Sequence, residues 1–73
     1  MSESVYKVIT IIGSSPESWE KAAAAAVEQA SKSLKDLRVA EVEELDMHLD
    51  GRKVIAYRAK VRLSFRYHGK EEE

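Results

Sequence analysis

Apolar residues occupy every odd position from Ile55 to Tyr67: Ile55, Tyr57, Ala59, Val61, Leu63, Phe65 and Tyr67. Arg58, Lys60, Arg62, Ser64 and Arg66 stand between them. Successive side chains of a strand point to opposite faces, so a period of two predicts one long strand with a buried and a wet face. At roughly 3.3 Å per residue this strand spans about 40 Å, well beyond the usual five or six residues. It therefore needs long neighbours and a cover for its apolar side.

The rest of the chain supplies candidates for both. Val5 to Ile12 is rich in β-branched and aromatic residues and reads as a first strand. Val5, Ile9 and Ile11 share one face, while Tyr6, Val8 and Ile12 share the other. Both faces are partly apolar, which predicts a helix on one side and a second subunit on the other. Gly13 is placed at the strand end. Ser15 is the expected N-cap, Pro16 the first helical residue, and Glu17 an acid at the positive end of the helix dipole. The helix is expected from Pro16 to about Lys35. Trp19, Ala23, Val27 (with Ala26), Ala30, Leu34 and then Leu37 follow one another in steps of three and four, a single core-facing stripe. Packing is the reading for Trp19, with ligand stacking as its alternative. The run Ala22 to Ala26 combines high helix propensity with little bulk, so the helix can lie close to a curved sheet.

Leu37 to Leu49 reads as a second strand. Val42 keeps the phase of Ala40, but Leu45, Met47 and Leu49 appear in the opposite phase. One residue inserted around Glu43-Glu44 accounts for the switch, the signature of a β-bulge. Asp50-Gly51 signals a hairpin turn, with Arg52-Lys53 extending the loop. The tail, residues 68–73, carries too little apolar surface to fold and is expected to fray. The order strand, helix, strand, strand predicts an α+β fold. The expected form is a three-stranded, mainly antiparallel sheet wrapped around one long helix, in a single domain over 1–73 with an ordered core of about 4–67.

Composition adds one constraint. A chain of 73 residues buries only about 60% of its unfolded surface, so its core is thin. It has no Cys, so neither disulfides nor a Cys-ligated metal can staple it. Self-association is the remaining common source of stability. The net charge of −1 gives no general attraction to nucleic acid or anionic membrane. No apolar run approaches the roughly 20 residues of a membrane span. The amino-terminal Met-Ser-Glu-Ser lacks a signal-peptide layout, so a cytoplasmic location is expected.

No residue set resembles an enzyme active site. The serines have no evident base, and His48 and His68 lack metal-ligand spacing. A phosphate site at Gly13–Pro16 would be supported by neither Walker nor dinucleotide spacing. Glu41, Glu43, Glu44, Asp46 and Asp50 on the second strand face a simple explanation: Arg58, Lys60, Arg62 and Arg66 on the hairpin partner can pair with them. A hard cation held by carboxylates is the alternative, with Glu44, Asp46 and Asp50 as chemically suitable ligands. The spacing does not match an EF-hand loop.

The stretches V-Y-K-V-I-T-I-I-G-S-S-P, L-R-V-A-E-V and V-R-L-S-F-R resemble the dodecins, and the likeness runs from Val5 to Arg66. That resemblance implies a strand, a helix and two long strands, with twelve copies closing into a hollow sphere. Dodecins typically bind stacked pairs of flavins through a tryptophan and a glutamine. Here Val39 stands at the tryptophan position and Arg58 at the glutamine position, while Asp46-Met47 replaces a common Arg-Gly pair. The motifs V-Y-K-V-I, S-W-E, R-V-A and D-M are similar to a divergent branch in which flavin binding is lost and calcium is bound. The resemblance thus implies a non-enzymatic homododecamer with a small-ligand or cation role, calcium as the candidate cofactor and weak or no flavin binding. Its alternatives are flavin storage through other contacts, and a structural module without a small ligand.

Overall fold

The structure is a computed structural model that describes residues 3–67. The tail expected to fray, and His68 within it, lie outside the described residues. Four elements follow in order: β1 (Tyr6–Ser15), α1 (Trp19–Ser31), β2 (Leu37–Asp50) and β3 (Lys53–Arg66). They form one sheet in the order β1-β3-β2, with both pairings antiparallel. The α+β class and the element order agree with the sequence reading. The strand with the cleanest alternation, β3, is the central one. It carries a helix on one face and side-chain ion pairs on the other, which is what a strict period of two encodes.

The core is small and lies between α1 and the β1·β3 pair. Ala22, Ala26 and Ala30 of the helix are buried against Ala59, Val61 and Leu63 of β3. Ile9, Ile11, Ala23, Val27, Leu34 and Leu37 pack around them. The buried line runs through Ala22, Ala26 and Ala30; Ala26 and Ala30 belong to the expected stripe, while its Ala23 and Val27 flank the line. The reason is distance. Gly13, paired with Ala59 inside β1 rather than ending it, sits directly beneath α1. A Cβ built on Gly13 would fall 2.0 Å from the Ala22 carbonyl oxygen and 3.0 Å from Ala26 Cβ. Only alanines above and a glycine below permit this approach.

Both helix ends differ from the sequence expectation. Ser15 stays in β1, opposite Tyr57, so its backbone cannot open a helix. Its buried hydroxyl instead accepts a hydrogen bond from the Glu17 amide at 3.0 Å. Ser18 is the N-cap, accepting from the Lys21 amide at 3.0 Å, and Pro16 precedes the helix. Glu17 pairs with Lys21 one turn on. The helix ends at Ser31 instead of Lys35. Ser31 Oγ donates back to the Glu28 carbonyl at 2.8 Å, a bond that competes with helix propagation. Asp36 then adopts φ 59° and turns the chain into β2. Leu34 and Leu37 still reach the core, from a turn and a strand.

Lengths decide what stays uncovered. Thirteen helical residues extend about 20 Å, whereas fourteen strand residues extend about 46 Å. The molecule is accordingly long and narrow, 53 × 20 × 16 Å. Ile55 and Tyr67, at the two ends of the apolar row of β3, remain exposed. The helix touches β2 at few points.

The predicted bulge is present: Val42 pairs with Val61, Glu44 with Lys60 and Leu45 with Ala59, leaving Glu43 as the extra residue. Its effect is to return Val42 and Leu45 to one face despite their opposite sequence phase. Two further register shifts, at Leu37/Val39 and His48/Leu49, were not signalled by hydropathy.

Gly13 and Gly51 separate two reasons for a glycine. Gly13→Ala meets backbone and should destabilise by about 3 kcal/mol. Gly51, at φ 64° in open space, should lose only about 1 kcal/mol on change to Ala, from backbone conformation. Chemical denaturation of both variants checks this; a Gly13→Ala protein as stable as the parent would contradict the seating of the helix on that residue.

Candidate functional site

The sheet face opposite the helix carries the chemistry. Pairing aligns residues into rows across the strands: Ser14, Arg58 and Asp46; Ile12, Lys60 and Glu44; Thr10, Arg62 and Glu41; Val8, Ser64 and Val39. The face alternates hydroxyl and aliphatic side chains along β1, is basic along β3 and acidic along β2. Its charges are matched. Arg58 donates from Nε to Asp46 Oδ1 and from Nη2 to Asp46 Oδ2, both at 2.8 Å. Lys60 Nζ lies 3.7 Å from Glu44 Oε1. Arg62 Nη2 lies 2.6 Å from Glu43 Oε2, and Glu41 Oε1 is 3.5 Å from its enclosed, unbonded Nε. The bulge residue Glu43 thus leans onto a cation whose partner in register is Glu41. The cross-strand pairing expected from sequence is what the fold produces at Arg58, Lys60 and Arg62.

Asp46 is the junction of three elements. Its carboxylate holds Arg58 of β3, while its backbone carbonyl accepts the Trp19 indole N–H of α1 at 3.0 Å. Trp19 also meets Tyr57 edge to face, with ring centroids 5.0 Å apart at 70°. Trp19 is therefore a tie between the helix start and β2 rather than a member of the buried core. The hydrogen bond from Arg58 holds the Asp46 carboxyl below its ordinary pKa; desolvation opposes it, and the positive charges of Arg58 and then Lys60 add to the lowering. The same bond raises Arg58. Sequence reasoning found the charges but not the tryptophan contact, because its acceptor is a backbone carbonyl, which leaves no trace in residue type.

The residues singled out from sequence fall in two groups. Asp46 and Arg58 are brought together. Val39 is not with them: it is 57% exposed and pairs with Ser64, six β3 residues from Arg58 and so about 20 Å away. Glu44 lies beside Lys60, and Asp50 pairs with Lys53 at the end of the hairpin. No three acidic or histidine side chains come together among the described residues. His48 is exposed opposite Ala56. No helix of the described residues is long and apolar enough to cross a membrane.

One helix against a three-stranded antiparallel sheet is an arrangement shared with known proteins. The dodecin family model matches residues 5–68, and the chain belongs to the dodecin family. Among curated relatives it is 57% identical over 63 residues to calcium dodecin of Mycobacterium tuberculosis, spanning 86% of this chain and 89% of that one. A crystal structure of that protein, described as calcium chelating with a novel calcium-binding site, matches with a TM-score of 0.81 and 54% identity over 92% of this chain and 96% of its own. Dodecin from Streptomyces coelicolor matches with a TM-score of 0.88 and 28% identity, covering 96% and 100% of the two chains.

The Asp46–Arg58 pair gives a pH signature. A carboxylate whose folded pKa is depressed contributes stability above its unfolded pKa and loses that contribution as pH falls through the folded value. Asp46→Asn should therefore melt below the parent near neutrality, with the gap closing below the ordinary carboxylate value of 3.8. Thermal melts across acid pH test this; a gap that persists unchanged well below that value would show that the ionised carboxylate is not its source.

Proposed function

We propose that this chain is a non-enzymatic dodecin that assembles with copies of itself into a hollow homododecamer and holds a small ligand or cation, with calcium as the leading candidate. The observation that carries this reading is the likeness, over nearly the whole of both chains, to a protein described as calcium chelating. The exposed row of carboxylates on β2 supports it chemically. Calcium takes six to eight oxygen ligands, and the described residues of one chain gather no such set, so the reading draws on carboxylates from more than one copy. Glu44 and Asp50 are the favoured contributors. Asp46 has both oxygens engaged by Arg58 and joins only if that pair opens.

Weak or absent flavin binding is part of the same reading. Valine at position 39 offers no ring for an isoalloxazine to stack on, a loss on the order of 1–3 kcal/mol per base-sized ring. Arg58, already held by Asp46, has less to give a ligand edge than a free amide would.

Titration calorimetry of the assembled protein with calcium chloride should show saturable binding. Glu44→Gln or Asp50→Asn should weaken it by about tenfold each, the equivalent of roughly 1.4 kcal/mol. Asp46→Asn should change it less. A flat isotherm for the parent protein would overturn the calcium reading. Riboflavin fluorescence should stay constant as protein is added; quenching would favour flavin storage instead.

A further inference from the structure

Glu41, Glu43, Glu44 and Asp46 of β2 are not equally held by β3. Arg58 covers both oxygens of Asp46 at 2.8 Å, from two nitrogens of one planar fork. Lys60 stands 3.7 Å from Glu44, a loose contact through a single point charge. Arg62 is shared, 2.6 Å from Glu43 and 3.5 Å from Glu41. Two features of the fold fix the Asp46 pair. Asp46 and Arg58 are direct register partners, in a row that holds no register shift. Across the sheet, the Trp19 indole anchors the Asp46 carbonyl at 3.0 Å, which ties down the main chain that carries the carboxylate. The two side chains are nonetheless 50% and 43% exposed, so an ion from solvent reaches them.

We propose that Arg58 is a built-in competitor for divalent cations at Asp46, a guanidinium that the ion must displace before Asp46 can serve as a ligand. The inference rests on the cation reading above and adds to it what sets the affinity. Arg58 and a divalent ion need the same acceptors. Nε and Nη2 occupy one Asp46 oxygen each, and a carboxylate that chelates calcium offers those same two oxygens. The competitor does not switch off near neutrality, because a guanidinium keeps its proton there and the pair lowers Asp46 while it raises Arg58. Glu44 is different: it turns to an incoming ion without giving up a close bond. The acidic row of β2 is thus graded, with Glu44 available at once and Asp46 held back by the cost of releasing Arg58. Binding is weaker than the number of carboxylates suggests, and the grip of residue 58 decides by how much.

Calorimetric titration of calcium chloride into the parent protein and four variants tests this, each variant first matched to the parent in circular dichroism and in mass by light scattering. Arg58→Gln should tighten calcium binding about fivefold, the equivalent of roughly 1 kcal/mol for an exposed bidentate pair. Arg58→Lys should fall between the two, since an ammonium cannot fill both oxygens in one plane; it also serves if the glutamine variant does not fold. Arg58→Gln/Asp46→Asn should lose the gain, which assigns it to the freed carboxylate. Lys35→Gln makes the same change in net charge on the link between α1 and β2 and should leave the affinity within twofold of the parent. Saturable binding by the parent that Arg58→Gln does not tighten would overturn the competition and leave the cation reading standing. A gain that survives Asp46→Asn, or that Lys35→Gln reproduces, would make it a general charge effect and also overturn the competition. Flat isotherms for both the parent and Arg58→Gln would remove the cation reading itself.

Discussion

The closeness of α1 to β1 sets the rest of the molecule. Three alanines at successive turns lie against a glycine and against Ala59, Val61 and Leu63, so backbone nearly meets backbone. Such a seat buries little side-chain volume, and among the described residues the buried hydrophobic set is six residues. It also fixes the helix laterally over β1 and β3. With its axis held there, a short helix cannot also cover β2.

Two properties follow from that placement. Val42, Leu45 and Met47 face the helix side of the sheet and are still about half exposed, and the hairpin beyond Asp46 extends with no helix above it. On the opposite face ion pairs tie β2 to β3, and from the helix Trp19 donates one hydrogen bond to the Asp46 carbonyl. The residue where these meet, Asp46, is thus more firmly positioned than its neighbours on an otherwise exposed strand. A domain this thin, with large apolar residues exposed on both sheet faces, resembles part of an assembly more than a finished globule.

Much of this was legible in the residues. The alternation of β3, the bulge at Glu43 and the acid-to-base pairing of β2 with β3 all follow from period two, which has one solution when a central strand is buried on one face only. The helix was harder. Within Ala22–Ala26 every position is alanine, so hydropathy has no contrast there with which to choose the buried line, and closeness to Gly13 chooses it instead. The start of the helix was placed at Ser15, but the sheet claims that residue and Ser18 caps the helix in its stead. The tie from Trp19 to a main-chain carbonyl and the register shift near Ile55 depend on tertiary geometry alone. For the site, residue types located Asp46 and Arg58 but could not tell that they bind one another, and the 20 Å between Val39 and Arg58 became visible only with the register.

The claim on which everything else leans is that copies of the chain cover each other's apolar faces. Native mass spectrometry of the purified protein, sprayed without added ligand, measures this directly. A mass of twelve chains is the predicted result, with any retained calcium resolved as discrete increments. A single-chain mass at micromolar concentration would contradict it, since it would mean that the exposed faces of β1 and β2 are stable in water on their own.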